Sequence, residues 1–322
     1  MSERSGRVAF PILGRSFEAD DVGERLAGWL VHHWRREHPE APFSRDRILL
    51  QCHEGPDLPN ALCARLPATH DPDADAAKPV HVAVDGERAE ALLGSLAGGA
   101  YLELDPGAAR VRAWGVAGPG DPGRGPLLVA LHEAVRASGL LPLHCAAAVR
   151  PGDAGATAFV GPSGVGKSTT LLTLVQAGWA PVCEDFAWLD PETLWAFAWD
   201  HDVRLLPDAL ARQGPLPTRP AAATGDPKRV VSYDALAKRF GVERRLAAPL
   251  VRVIRMARGT GRTRWGPLPR YEMVPPLWEA IGLPLTGRSR KQVAEQIGAL
   301  VDDVGRGSLR IGETPVPLHD LM

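Results

Sequence analysis

One asparagine, Asn60, and five lysines stand in a chain of 322 residues, and both shortages constrain what the protein is. The lysines are Lys78, Lys167, Lys228, Lys238 and Lys291, so nearly all of the 37 basic residues are arginine. A lysine set in a glycine-rich or turn segment is therefore worth notice. The four cysteines, Cys52, Cys63, Cys145 and Cys183, form no CxxC pair, which favours reduced thiols over a disulfide or thiolate-metal framework. His53 beside Cys52, and the group His32, His33 and His38, do not supply a zinc-ligand spacing either. A formal charge of −1 and a pI near 6.8 lack the basic footprint of a nucleic-acid binder. No apolar run approaches the roughly 18 residues that span a bilayer, and no N-terminal apolar run resembles a signal peptide. The expectation is a cytoplasmic protein with no nucleic-acid or membrane partner.

With 45% hydrophobic residues the chain has material for two cores. Arg7 to Leu13 reads as a strand, and Asp20 or Asp21 is placed to cap a helix running to about His38. Val22, Leu26, Trp29, Leu30 and Trp34 form its apolar stripe. Ile48 to Cys52 and Val80 to Val84 read as strands separated by a polar, proline-rich loop over 67–75. Tyr101 to Leu104 and Arg110 to Trp114 alternate like a hairpin about Asp105-Pro106-Gly107. Glycine and proline crowd the stretch from Gly115 to Pro126, so the expected division is an α+β domain over 1–120 and a second domain over 121–322. In the second, a helix is expected from Leu127 to about Ser138, a strand from Leu143 to Val149, and a hairpin through Leu189 to Phe197. Ser289-Arg290-Lys291-Gln292 has capping-box spacing ahead of a helix to about Val304. No internal repeat or coiled-coil heptad is present.

The most informative segment is Gly161-Pro162-Ser163-Gly164-Val165-Gly166-Lys167-Ser168-Thr169. Ala156 to Val160 before it reads as a buried strand, and Ser168 to Ala177 after it as a helix. Spaced glycines free the turn to point backbone N–H groups inward, and the helix N-terminus then faces bound phosphates. In such a loop Lys167 reaches the β- and γ-phosphates and the Ser168 hydroxyl holds Mg²⁺. The pattern implies a nucleoside triphosphate, with ATP and Mg²⁺ as the expected ligands. Gly178 closes the helix, and Trp179 to Cys183 reads as the next strand, ending at Glu184-Asp185. A strand, loop, helix, strand run of this kind places its ligands at the carboxyl ends of parallel strands, so the acidic pair and the loop should share one rim.

Leu143-His144-Cys145-Ala146-Ala147-Ala148-Val149, the glycine-rich loop, and Val182-Cys183-Glu184-Asp185-Phe186 together resemble the catalytic region of HPr kinase/phosphorylase and its relatives, including kinases associated with lasso-peptide gene clusters. The match lies in order, type and approximate spacing, and covers about residues 127 to 200. The resemblance implies an α/β fold: a P-loop kinase domain of the HPr kinase / PEP carboxykinase-like type beside a smaller N-terminal α+β domain. It also implies Glu184 as general base where the family usually has aspartate, Asp185 as a metal ligand or positioner, and His144 as the residue that holds or tunes the base. Glutamate is one methylene longer than aspartate, which leaves open whether the base is Glu184 or Asp185. The glycine-rich segment tied to phosphorolysis in the bifunctional enzymes is not found, which puts the reverse reaction and the HPr protein as substrate in doubt.

Phosphoryl transfer to an alcohol also needs positive charge for the transition state. Arg204, and the pair Lys228-Arg229 in Gly225-Asp226-Pro227-Lys228-Arg229, are the candidates. The expected activity is transfer of the ATP γ-phosphate to a serine of a peptide or protein; the resemblance admits a homo-oligomer, since related enzymes often assemble. A small alcohol or free amino acid is the close variant. The rivals from other classes are a nucleotide-dependent switch and a binding module without kinase activity. A single asparagine before the loop rules out a guanine-reading Asn-Lys-x-Asp motif after it, and equally the catalytic loop of HRD-type kinases.

Overall fold

The computed structural model describes residues 6–35, 38, 41–44, 46–53, 79–85, 88–93, 100–105, 110–114, 124–211, 216–221, 227–282, 284 and 287–312. The chain is mixed α/β and divides into two compact units, one of residues 1–140 with 284–293 and one of 141–283 with 294–322.

The first unit is built on seven strands: β1 (Gly6–Ile12), β2 (Arg15–Val22), β3 (Arg47–His53), β4 (Pro79–Asp85), β5 (Arg88–Leu93), β6 (Ala100–Asp105) and β7 (Arg110–Trp114), in the order β1-β2-β3-β7-β6-β5-β4. Helices α1 (Glu24–Trp34) and α2 (Arg124–Ala137) pack on it, α2 against β3, β6 and β7. The apolar stripe of Val22, Leu26, Trp29, Leu30 and Trp34 is buried, as its spacing predicts. Its start differs. Asp20 and Asp21 belong to β2, where Asp21 accepts a hydrogen bond from Gln51 of β3 (3.0 Å), and α1 begins after Gly23 with no side-chain cap. Pairing of Asp20 with Gln51 of β3, the Gln51–Asp21 hydrogen bond, and pairing of Val22 with Gly6 of β1 keep this stretch in the sheet and outweigh the capping preference of the two aspartates. The β6–β7 hairpin has the expected antiparallel register, Asp105 opposite Arg110. The expected loop over 67–75, the turn at Pro106-Gly107 and the breaker segment over 115–123 lie outside the described residues. Residues 124–137, expected in the second domain, fall in the first unit.

The second unit holds β8 (Leu141–Leu143), β9 (Cys145–Val149), β10 (Ala156–Val160), β11 (Ala180–Cys183), β12 (Ala187–Leu189), β13 (Trp195–Ala198), β14 (Asp202–Leu205), β15 (Arg219–Pro220), β16 (Arg229–Ser232), β17 (Ala247–Arg258), β18 (Arg264–Pro267) and β19 (Gly305–Ile311). Its helices are α3 (Lys167–Gln176), α4 (Pro207–Ala211), α5 (Tyr233–Phe240) and α6 (Arg270–Ile281); α7 (Gly287–Asp303) crosses the division of the chain. The main sheet runs β11-β9-β10-β17-β13-β12-β8, with β19 beside β17 and β18 beside β19. A three-stranded sheet, β14-β16-β15, stands apart from it.

Strands β10 and β11 are parallel, as expected of the strand–helix–strand run, but they are not neighbours: β9 lies between them and is antiparallel to both. All of β9 and β10 is buried, and Ala146 and Ala148 of β9 let Leu171, Leu174 and Val175 of α3 pack close against Phe159, Ile254 and Met256. Small residues in β9 are poor strand formers in isolation, and burial of the strand between two partners decides its conformation. The expected single strand from Leu143 to Val149 is broken at His144. Its first part pairs with β12 and its second with β10, while the His144 N–H donates to Ala280 of α6 (2.9 Å). The β12–β13 hairpin is as expected. Helix α7 begins two residues before Ser289, so Ser289 is not its N-cap.

Candidate functional site

The glycine-rich loop leaves the end of β10 and enters α3 through three glycines with positive φ: Gly161 (151°), Gly164 (76°) and Gly166 (113°). Any larger residue at 161 would also put a Cβ 2.7 Å from the Met256 carbonyl oxygen, so the close approach of loop to β17 requires glycine there. Val165 turns its side chain into the core and anchors the loop. Gly166 caps α3 without a side-chain hydrogen bond, leaving the first N–H groups of the helix to a ligand or water. The Lys167 ammonium is folded back over the loop and donates to the Gly161 carbonyl (2.7 Å) and the Pro162 carbonyl (3.4 Å). Burial lowers its pKa, opposed by the charges of Asp185 and Glu184 among others.

Glu184 and Asp185, at the end of β11, share this rim as the sequence implies. The Ser168 hydroxyl donates to one Glu184 oxygen, and the Arg204 backbone N–H donates to the other (3.2 Å). Glu184 is 3% exposed, and burial raises its pKa against the opposing pull of the Ser168 hydrogen bond. Asp185 is more open, its side chain 29% exposed, and it meets His144 Nδ1 at 3.4 Å and the Arg204 guanidinium in an ion pair. The break at His144 explains this contact: the residue leaves the ladder between β8 and β9 and turns its imidazole to the acidic pair. Partial burial and the Lys167 charge lower the His144 pKa, with Asp185 acting in the other direction.

These groups surround a cavity of about 320 Å³ lined by His144, Ser163, Gly164 and the 166–169 segment, with Glu184, Asp185, Arg204 and Lys228. Thr169 is therefore at the site with Lys167 and Ser168. Arg229 does not line it; it stands exposed at the start of β16. Gly225 and Asp226 lie outside the described residues.

Sequence reasoning missed the support beneath the acidic pair. Asp200 Oδ2 accepts the backbone N–H groups of both Glu184 and Asp185, the second at 2.9 Å, while Oδ1 accepts from Arg244 (2.6 Å) and the Tyr233 hydroxyl (3.2 Å). Arg244 also donates to the carbonyls of Val182 (3.0 Å) and Asp200 (2.8 Å), and its guanidinium stacks 3.6 Å from the Tyr233 ring centre. Burial raises the Asp200 pKa, and Arg244 and the two N–H donors oppose it; burial and Asp200 together push the Tyr233 phenol well up. Arg258 was missed too. It donates to the Gly164 carbonyl (3.1 Å) at the mouth of the cavity. Neither residue carries a local signal, because each acts through a partner many positions away.

No three His, Cys, Asp or Glu side chains cluster as a metal cage among the described residues. The adjoining oxygens of Ser168 and Glu184 instead suit a hard cation that keeps most of its ligands from water and phosphate, as Mg²⁺ does. Cys145 and Cys183, next in sequence to His144 and Glu184, are buried free thiols with sulfurs 3.7 Å apart. The side chains of Cys52 and Cys63 lie outside those described. Among the described residues no helix is long and apolar enough to cross a membrane. The chain matches no protein-family model, and no curated protein is significantly similar to it.

Proposed function

We propose that the second unit is a P-loop kinase domain of the HPr kinase-like type that transfers the γ-phosphate of ATP to a hydroxyl, most simply a serine of a peptide or protein. The observation that carries this reading is the meeting, around one cavity, of an uncapped helix start, Lys167, a Ser168–Glu184 pair and a solvent-accessible Asp185–His144 pair. A switch ATPase needs only to orient water, whereas an accessible carboxylate backed by histidine suits an acceptor hydroxyl.

The residues divide the work as follows. N–H groups of the loop and of the first turn of α3 hold the phosphate oxygens, and Lys167 moves from the Gly161 carbonyl onto the β- and γ-phosphates. Mg²⁺, when bound, neutralises charge on the phosphates. Ser168 and Glu184 are the protein groups placed to hold it. Asp185 takes the acceptor proton. The new bond joins the serine oxygen to the γ-phosphorus while the bond from that phosphorus to the β,γ-bridging oxygen breaks, and ADP leaves with the electron pair. This exchanges the two carboxylate roles implied by the family resemblance. Both carboxylates have partners on each oxygen, Ser168 and the Arg204 N–H for Glu184, His144 and the Arg204 guanidinium for Asp185, but Glu184 is buried whereas Asp185 is open to an incoming acceptor. Arg204 and Lys228 supply positive charge at the same cavity.

The test is product analysis. Full-length protein, MgATP and serine-containing peptides should yield ADP and an alkali-labile phosphoserine in equal amounts, with slow hydrolysis when no acceptor is present. Lys167→Ala should lower transfer by at least about 10²-fold while the protein stays folded. Rapid acceptor-independent phosphate release with no phosphopeptide would favour the switch.

A further inference from the structure

A second cavity, of about 660 Å³, adjoins the same glycine-rich loop. The first half of the loop forms one wall, the end of β17 from Arg255 to Arg258 another, and α6 the third. It shares Ser163, Gly164 and Arg258 with the smaller cavity, so the two meet at the loop. Its volume is that of a ligand site, and it is larger than the space beside Lys167.

Three features of α6 say what fits there. Tyr271 on this wall is 73% exposed, an aromatic ring left without cover. Pro275 and Pro276 lie inside the helix, and having no N–H they leave the carbonyls of Tyr271 and Glu272 without their i→i−4 donors. A peptide offers both an apolar side chain for the ring and N–H groups for those carbonyls. The third feature is charge. Arg255 pairs with Glu272 (3.3 Å) and Arg258 is committed to Gly164, whereas Glu279 is exposed at the cavity and close enough to influence the Lys167 ammonium. Among the described residues no hydrogen bond or ion pair engages the Glu279 carboxylate. A cation arriving with the acceptor would answer it.

We propose that this cavity is the acceptor subsite: it seats a peptide segment with an apolar or aromatic side chain next to the serine and a basic residue close by, on Tyr271, Pro276 and Glu279. The proposal rests on the kinase reading of the loop. The flanking residues sit on α6 and the serine reaches Asp185 past Ser163, Gly164 and Arg258, where the two cavities meet, so that the reacting hydroxyl lies in the smaller one.

The experiment uses full-length protein, MgATP and a panel of serine heptapeptides whose flanking positions carry Ala, Leu, Phe, Lys or Glu. Wild type should favour Leu or Phe beside the serine and Lys over Glu nearby. Tyr271→Ala should raise KM for the Leu and Phe peptides about tenfold with little change in kcat, the scale of losing one aromatic anchor. Glu279→Gln should remove the Lys-over-Glu preference, again about tenfold. The dissociation constant for MgATP, measured without peptide, is read in parallel. Phosphopeptides formed with unchanged preferences in both variants would overturn the acceptor subsite and leave the kinase reading standing. A tenfold loss of MgATP affinity in Tyr271→Ala, with peptide preference intact, would make the cavity a nucleoside site and overturn it as well. Wild type that binds MgATP and phosphorylates no peptide would overturn the kinase reading, and the subsite with it.

Discussion

Ser168 and Glu184 are joined by a hydrogen bond across sixteen residues, tying the first turn of α3 to the end of β11. The pair couples the glycine-rich loop to the acidic rim, and it is where a hard cation and the phosphates would meet. Ser168→Ala and Glu184→Gln should each raise the Mg²⁺ concentration needed for half-maximal nucleotide binding by at least about tenfold, the scale of one charge-assisted oxygen ligand. A magnesium titration of nucleotide binding reads this, and unchanged midpoints in both variants would remove the pair from that role.

Asp185→Asn should have a different signature. If Asp185 receives the acceptor proton, its amide keeps the shape and the MgATP affinity while transfer falls by about 10²-fold or more. His144→Gln should lower transfer less, because His144 acts through Asp185 at 3.4 Å. Single-turnover transfer measured with bound MgATP separates the two. Normal transfer in Asp185→Asn, with loss in Glu184→Gln, would restore the roles to the order implied by the family resemblance.

Asp200 organises the rim without entering the cavity. Replacing it with alanine strands the half-buried Arg244 guanidinium and two backbone N–H groups, at a cost of about 3 kcal/mol, the lower end for breaking a buried ion pair. Urea unfolding monitors this. Asp200→Asn keeps an acceptor oxygen for those N–H groups and should recover part of both stability and transfer. If Asp200→Ala unfolds at the wild-type urea midpoint, the anchoring role is wrong.

The first unit should carry its own acid sensitivity through His132 on α2. Burial, helped by the Arg136 charge, lowers its pKa from 6.5 to about 4. Neutral histidine is favoured in the folded state, so the unfolded chain binds more protons between these values. Stability is then fully present above pH 6.5 and declines as pH falls toward about 4, by on the order of 2–3 kcal/mol. Neighbouring Glu133, with a pKa raised by burial, slopes the other way, so the comparison must be with a variant. His132→Gln should flatten the decline seen in denaturant unfolding between pH 7 and 4.5. An unchanged slope would dismiss His132 as its source.

Local pattern alone determined the parts that are local in physics. Gly161 to Thr169 declares a loop entering a helix because glycine spacing, a buried strand before it and an apolar period after it are all short-range. The same holds for the stripe from Val22 to Trp34 and for Glu184-Asp185 at a strand end. Pairing across the sheet is not short-range. The insertion of β9 between β10 and β11, and the break that frees His144, follow from hydrogen bonds to strands and to Ala280 that no window of sequence contains. Strand β2 was concealed because its last residues double as the start of a helical stripe, and its pairing on both edges settled the matter. The division between Glu184 and Asp185 also belongs to tertiary structure. Adjacent carboxylates just past a strand end look equivalent in sequence, but the bend that Asp200 holds there turns one inward to Ser168 and leaves the other more open beside His144. Asp200 and Arg244, forty-four residues apart, and Arg258, ninety-four from the loop it touches, acquire their roles only when the chain closes on itself.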